Sequence, residues 1–360
     1  MDASPPPRLT VIEGLPEGLL GLPAQRLHEG LPGPALIHLP GRREPPLFVS
    51  VLLHGNEPVG WDAVRRLLAA HRPPLPRALT LFVGNVAAAR LGLRRLPGQP
   101  DYNRVWPGGE GADCPEGRLL AEVVERMRRR GVFASVDLHA NTGLNPRYAC
   151  VNRLDPPFLH LAALFSRTVV HFLRPTGVQS MAFAALCPAV TAECGKVGDP
   201  GGVRAAQSYL EACLRLAEVP AHPVPPHDLE LFHTVATVRI PEEVPFAVGE
   251  NGDPGARVLL PADLDRWNFQ ELPPGTPLVQ VREGGRLEVT DEAGRDATRR
   301  YLQREGDHLV LRRAVMPAML TLERRIIRQD CLCYFMERLD RCRALPEAGR
   351  GPPARAGGAA

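Results

Sequence analysis

The chain has 360 residues, of which 44% are hydrophobic and 23% charged, and its formal net charge is +3. This composition is typical of a globular protein with a substantial core, and no apolar stretch is long enough to cross a bilayer. Because no basic stripe with interleaved aromatics is present, we predict neither a nucleic-acid nor a membrane partner. The N-terminus lacks the cationic start and apolar run of a secretory signal, so we expect a cytoplasmic location.

The first two-thirds of the chain alternates short apolar runs with helical patterns, which predicts an α/β sheet covered by helices. Residues 1 to about 9 and 343 to 360 have the composition of solvated tails. The predicted strands are Leu47–Leu53, Leu79–Val83, Phe133–Leu138 and Ala189–Cys194. Predicted helices follow Pro58, span Arg118–Arg129 and Pro157–Leu173, and run from Pro200 to about Val219.

A proline-rich connector at 220–226 precedes a change of pattern. Short β-like runs follow at Thr234–Ile240, Leu278–Val281, Leu309–Leu311 and Arg325–Ile327. We therefore place a domain boundary near residue 222, with a catalytic domain over 10–221 and a β-rich C-terminal domain over 222–342.

Chemically reactive side chains follow three of the predicted strands. His54 and Glu57 come after the first strand, His139 after the third, and Glu193 ends the fourth. Because open α/β sheets place their active sites beyond the carboxyl ends of their strands, we expect these residues to meet in one site. Two histidines and one glutamate form a recurrent ligand set for zinc in hydrolases. Zinc would lower the pKa of a bound water, so no protein nucleophile would be needed.

Four short motifs occur in one order along the chain. They are His-Gly-Asn-Glu at 54–57, Asp-Tyr-Asn-Arg at 101–104, Asp-Leu-His at 137–139 and Glu-Cys-Gly-Lys at 193–196. Together they resemble the succinylglutamate desuccinylase/aspartoacylase family, one of the carboxypeptidase-like (M14-type) zinc hydrolases. The motif resemblance covers roughly residues 45 to 200. It implies a mixed central sheet of the zinc-carboxypeptidase type, flanked by helices, with a smaller β-rich C-terminal domain.

The resemblance also implies roles for individual residues. His54, Glu57 and His139 would hold one Zn²⁺ per chain, and Glu193 would act as the general base. Asn103 and Arg104 would grip the carboxylate of an amino-acid substrate. An arginine before the second motif would stabilise the oxyanion. Arg95 is the nearest match, but its spacing is one residue too long and Arg94 is adjacent, so both stay open.

Asp137 is a candidate hydrogen-bond acceptor for His139. We expect, however, that strand alternation points its side chain to the opposite face of the sheet. Eight cysteines occur without a Cys-x-x-Cys pair, which indicates buried thiols rather than a zinc ribbon or a redox motif.

Each candidate also has a structural explanation when it is taken alone. His54 could end a strand, Glu57 could favour a helix N-terminus, Glu193 could form a buried ion pair, and Arg104 could form a surface salt bridge. Their conjunction in family order favours the metal site. We predict a zinc-dependent hydrolase that cleaves the amide of a small N-acyl amino acid, and a homo-oligomer is compatible with the sequence. The alternatives are a carboxypeptidase-like peptidase acting on a peptide or cell-wall fragment, and a non-catalytic binding protein.

Overall fold

The computed structural model describes residues 7–71, 74–249 and 253–339. The predicted tails lie mostly outside these residues. The strands are β1 (Thr10–Glu13), β2 (Ala35–Leu39), β3 (Leu47–Val51), β4 (Leu79–Val83), β5 (Ala134–Asn141), β6 (Tyr148–Val151), β7 (Thr168–His171), β8 (Ala189–Lys196), β9 (Glu230–Arg239), β10 (Phe246–Val248), β11 (Val258–Leu260), β12 (Pro277–Val281), β13 (Glu288–Asp291), β14 (Leu302–Glu305), β15 (His308–Leu311), β16 (Met316–Ala318) and β17 (Cys333–Arg338). The α-helices are α1 (Val59–Ala70), α2 (Val86–Arg90), α3 (Pro115–Arg130), α4 (Pro156–Ala163), α5 (Gln179–Phe183), α6 (Pro200–Arg215), α7 (Thr298–Tyr301) and α8 (Arg324–Gln329).

A mixed sheet of 12 strands forms the centre of the molecule. Its order is β1-β2-β4-β3-β5-β8-β6-β7-β9-β17-β16, and β13 also pairs with β9. The neighbours β4, β3, β5 and β8 are mutually parallel. Every residue of β3, β4 and β5 is buried, which explains the nearly continuous apolar runs of β3 and β4. The parallel arrangement brings the carboxyl ends of β3, β5 and β8 to one edge of the sheet.

Helix α6, one of the helices that flank this sheet, begins at the residue that the sequence predicts. In α6, Pro200 occupies the first turn, and the Asp199 carboxylate accepts a 2.8 Å hydrogen bond from the amide of Gly201. Helix α1 buries one side, which includes Val64 and Leu67, against the core. No helix in the described part of the chain is both long and apolar enough to span a bilayer.

The C-terminal third builds a second sheet of five strands in the order β10-β11-β12-β15-β14. The predicted fold class, a mixed α/β sheet with a β-rich C-terminal part, is therefore confirmed. Residues beyond 222 also extend the large sheet, because β9 pairs with β7 in parallel and β17 pairs with β9. The domain boundary near 222 stays a prediction.

Two predicted elements are wrong. The helical pattern over Pro157–Leu173 ends early, because α4 stops at Ala163 and Thr168–His171 forms the strand β7. The β-branched residues at 168–170 favour a strand over a helix. Residues 325–327 lie in the helix α8 instead of a strand. A short apolar run between charged residues is compatible with both the two-residue period of a strand and the 3.6-residue period of a helix.

Candidate active site

Three candidate metal ligands converge at the carboxyl ends of β3 and β5. His54 and Glu57 lie in the loop between β3 and α1, and His139 lies in β5. The Nδ1 atoms of both imidazoles are 2.8 Å from the Glu57 carboxylate, each facing a different oxygen. All three side chains are buried, and one ligand atom from each lies within 4.8 Å of the others. The three residues could therefore hold a metal ion, and the described residues contain no other group of this kind.

Close backbone packing fixes the loop that carries His54 and Glu57. A Cβ atom at Gly55 would lie 2.2 Å from the backbone nitrogen of Ala89 and 2.7 Å from the carbonyl oxygen of Leu93. Only glycine fits between these groups. The loop is therefore held in one conformation by its neighbours, and it carries both side chains to the end of β5.

The outer nitrogens of the two imidazoles face carboxylates. His54 Nε2 is 3.0 Å from Asp101 Oδ1, and His139 Nε2 is 2.8 Å from Asp137 Oδ2. A neutral imidazole carries an N–H on only one of its two nitrogens. When the outer nitrogen donates this N–H to its carboxylate, the nitrogen that faces Glu57 keeps a lone pair that can bind a cation. Carboxylates that accept from the outer nitrogen are the usual partners of metal-binding histidines. The donor set around Glu57 therefore fits a divalent metal.

The expected direction of Asp137 is wrong. Residues two apart on a strand share a face, so Asp137 and His139 point the same way. The Asp137 side chain is fully buried and also accepts a 2.7 Å hydrogen bond from Ser50 Oγ on β3. These contacts fix the orientation of the His139 ring.

We expect Asp137→Asn to weaken zinc binding by about 10- to 100-fold, because the amide cannot replace the carboxylate as acceptor with equal strength. A competition titration against a chromophoric chelator measures this affinity. Ser50→Ala is the matched control, because it removes a neighbour of Asp137 but leaves the carboxylate in place, and its affinity should change less. Equal affinity in wild type and Asp137→Asn would contradict this role.

Glu193 lies on β8 directly beside His139 in the strand register. Its carboxyl is buried, and Asn141 Nδ2 donates a 3.0 Å hydrogen bond to Oε2. Burial raises the pKa of Glu193 to about 7, although the nearby imidazole of His139 opposes the shift. A carboxyl with a pKa near neutrality can both accept and return a proton. Glu193 lines the same pocket as the candidate ligands.

Of the two arginines left open by the sequence, Arg94 lines the pocket. Its Nη1 is 3.8 Å from Glu57 Oε1, while its Nε and Nη2 bind Asp101 and Asp330. Arg95 is not among the lining residues, and its guanidinium donates to the carbonyl of Gln99 at 2.9 Å. Consecutive loop residues point in different directions, and only the Arg94 guanidinium contacts the carboxylates of the pocket. The position of Arg94 therefore fits the predicted oxyanion role better than that of Arg95, and the role itself stays a prediction.

Asn103 and Arg104 also line the pocket. Asn103 Nδ2 lies 3.2 Å from His139 Nε2, and its Oδ1 accepts from the amide of Gln179. Arg104 Nη2 contacts both oxygens of Asp330, at 2.8 and 2.9 Å. The guanidinium predicted to bind a substrate carboxylate therefore already contacts a carboxylate of the chain itself.

Two pocket residues, Asp330 and Arg174, were missed by the sequence analysis. Asp330 follows α8, and Arg174 lies in the loop between β7 and α5. No motif in the sequence signals either residue. The remaining walls of the pocket are largely apolar, and the pocket is partly open to solvent. They include Val170, Phe172, Val178, Met319, Ile326 and Met336.

No protein-family model and no curated protein sequence matches the chain. Solved structures do match it. A succinylglutamate desuccinylase/aspartoacylase from Rhodobacter sphaeroides aligns over 84% of this chain and 88% of its own, with a TM-score of 0.54 and 14% identity. The succinylglutamate desuccinylase from Vibrio cholerae aligns over 81% of both chains, with a TM-score of 0.53 and 13% identity. That from Chromobacterium violaceum aligns over 83% of this chain and 86% of its own, with a TM-score of 0.52 and 18% identity. The motif resemblance is thus confirmed at the level of the fold, and the chain has the fold of the succinylglutamate desuccinylase/aspartoacylase structures.

Proposed function

We propose that this protein is a zinc-dependent hydrolase that cleaves the amide bond of a small N-acyl amino acid. The proposal rests on four buried side chains, those of His54, Glu57, His139 and Glu193, which line the same pocket. The solved structures with the same fold include proteins named as desuccinylases of succinylglutamate, an N-acyl amino acid. Their names support this substrate class for the chain.

In this proposal His54, Glu57 and His139 hold one Zn²⁺, which supplies Lewis acidity and an acidified water when bound. Asp101 and Asp137 keep the two imidazoles oriented, since each carboxylate faces an outer ring nitrogen. Glu193 takes a proton from the attacking water and returns it to the leaving amine. Its burial suits both steps, because a carboxyl with a pKa near neutrality exchanges protons readily.

Arg94 is the proposed partner of the developing oxyanion. Its Nε and Nη2 are bound by carboxylates, which fixes the guanidinium plane. Its Nη1 has no hydrogen-bond partner among the described residues and lies on the side of Glu57. A preorganised donor of this kind stabilises a charge that develops during the reaction. Asn103, whose Nδ2 lies 3.2 Å from His139 Nε2, is the proposed substrate contact beside the candidate ligands.

A panel assay tests the proposed function. Metal-free protein is loaded with zinc and given N-acetyl, N-succinyl and longer N-acyl amino acids beside short peptides, and free amine is measured. We expect amine release from at least one N-acyl amino acid, and we expect a chelator to stop it. A preference for peptides would favour the peptidase alternative. The absence of both zinc binding and hydrolysis would identify a non-catalytic binding protein.

A further inference from the structure

Arg104 is held by a carboxylate of the chain itself. Asp330 contacts Arg104 Nη2 through both oxygens, and Arg104 Nη1 donates to the carbonyl of Asn103 at 2.8 Å. The Asp330 side chain is 15% exposed, and that of Arg104 is 26% exposed. The pair is therefore partly withdrawn from water, where a charge-assisted contact is stronger than on an open surface. A substrate carboxylate would have to displace Asp330 before it could use this guanidinium.

The charges around this pair are balanced. Arg94 contacts Asp330 at 3.2 Å and Asp101 at 2.9 Å, so two arginines face two aspartates. Burial alone would raise the pKa of Asp330, but Arg104 and Arg94 lower it, so its carboxyl stays ionised. A second carboxylate brought next to Asp330 would meet a like charge that has little solvent to screen it. The position beside Arg104 and Asp330 is therefore a poor place for a second carboxylate.

Arg174 differs from Arg104 because its guanidinium is not paired with a carboxylate of the described residues. It lines the same pocket, and its Nε donates to the carbonyl of Glu292 at 2.7 Å. Its two terminal nitrogens have no hydrogen-bond partner, and its guanidinium forms no ion pair, within residues 7–71, 74–249 and 253–339. The single bond to a backbone carbonyl positions the guanidinium and leaves its charge uncompensated. Its terminal nitrogens can bind both oxygens of one carboxylate.

The loop that carries Arg174 is part of the site. The backbone N–H of Gln179, at the end of this loop, donates a hydrogen bond to Oδ1 of Asn103. The backbone N–H of Trp106 donates to the carbonyl oxygen of Gly177. A Cβ atom at Gly177 would lie 2.1 Å from the carbonyl oxygen of Arg104, so the loop packs directly on the backbone of the Asp-Tyr-Asn-Arg motif. Arg174 is thus held against the segment that was predicted to bind the substrate carboxylate.

We propose that Asp330 fills the carboxylate subsite of Arg104 from within the chain, and that Arg174 binds the single carboxylate of the substrate. This inference rests on the proposed function, whose substrate class it narrows to N-acyl amino acids with one carboxylate. The walls near Arg174, which include Val170 and Phe172, suit an apolar side chain.

Binding of two matched probes tests the assignment of Arg174. N-acetyl-L-leucine and N-acetyl-L-leucinamide differ only in the carboxylate, and each is titrated calorimetrically into zinc-loaded Glu193→Gln protein, which should bind without turnover. We expect the carboxylate probe to bind about 10- to 100-fold more tightly than the amide, which is the range of a charge-assisted contact. Arg174→Gln should reduce this preference to about one, whereas Arg104→Gln and the control Arg95→Gln should retain it.

A second pair of probes tests the role of Asp330. In the Asp330→Asn protein the charge that occupies Arg104 is removed, so a second carboxylate can bind there. We expect N-acetyl-L-glutamate to bind about tenfold more tightly than in the protein with Asp330, while its uncharged counterpart N-acetyl-L-glutamine changes little. Thermal unfolding of each variant establishes that it is folded.

Several outcomes would overturn the inference. One is that Arg104→Gln loses the carboxylate preference while Arg174→Gln keeps it. Another is that the zinc-loaded Glu193→Gln protein binds N-acetyl-L-leucine and N-acetyl-L-leucinamide equally, or binds neither detectably. A third is that Asp330→Asn leaves the affinity for N-acetyl-L-glutamate unchanged. The proposed function is tested separately by hydrolysis with wild-type protein. Arg174-dependent binding without hydrolysis of any acyl amino acid would reject only that function, and hydrolysis with Arg104-dependent binding would reject only the inference.

Discussion

Replacing Glu193 with glutamine should abolish turnover and leave the metal in place. Glutamine keeps the shape of the side chain and can still contact Asn141, but it cannot accept a proton from water. Because a positioned general base contributes about 10²- to 10⁴-fold to a rate, we expect kcat to fall by that factor. Initial rates of amine release, measured beside the zinc content of the same preparation, give both quantities.

Glu57→Gln is the matched control for this experiment. It makes the same chemical change in the same pocket, but at a residue whose oxygens face both imidazoles. Glu57→Gln should lose zinc as well as activity, whereas Glu193→Gln should lose activity alone. Near-normal activity in Glu193→Gln, or loss of zinc from it, would show that Glu193 is not the base.

Replacing His54 with alanine should also lower activity strongly, because it removes one of three ligands and leaves the charge of Asp101 without its imidazole partner. A bound metal contributes several kcal/mol to transition-state stabilisation, and each 1.36 kcal/mol corresponds to a tenfold change in rate. We expect kcat to fall by about 10³-fold or more, to the level of the chelator-treated wild type. Steady-state rates with and without added zinc measure this loss.

His71→Ala is the control for the loss of an imidazole. His71 lies at the end of α1 and pairs with Glu211 at 3.0 Å, outside the pocket. This variant should keep both zinc and activity. A His54→Ala protein that retained wild-type rates at equal zinc content would mean that catalysis does not use this imidazole.

The elements around the site could be predicted because their signals are local. Leu47–Leu53 is apolar except for Ser50 and is followed by a histidine and a glycine, and Leu79–Val83 is apolar except for Thr80. Parallel strands in an α/β sheet share one carboxyl end, so the meeting of His54, Glu57 and His139 follows from order along the chain. The predictions that were wrong, a helix over 157–173 and a strand over 325–327, concern short apolar runs that fit the period of a helix and that of a strand equally well.

The electrostatic partners in the pocket could not be predicted from the sequence. Arg104 and Asp330 are 226 positions apart, and no periodicity or spacing links them. The choice between Arg94 and Arg95 depends on the same contact, because Asp330 and Asp101 together determine which guanidinium turns inward. The motifs therefore identify the candidate chemistry at the metal, while the contacts that bear on substrate choice appear only in the folded chain.

The most direct measurement is anomalous diffraction at the zinc absorption edge from crystals of the zinc-loaded protein. We expect one strong peak per chain, within coordination distance of the Nδ1 atoms of His54 and His139 and of the Glu57 carboxylate. A peak at another place, or no peak in protein that chemical analysis finds loaded with zinc, would contradict this expectation.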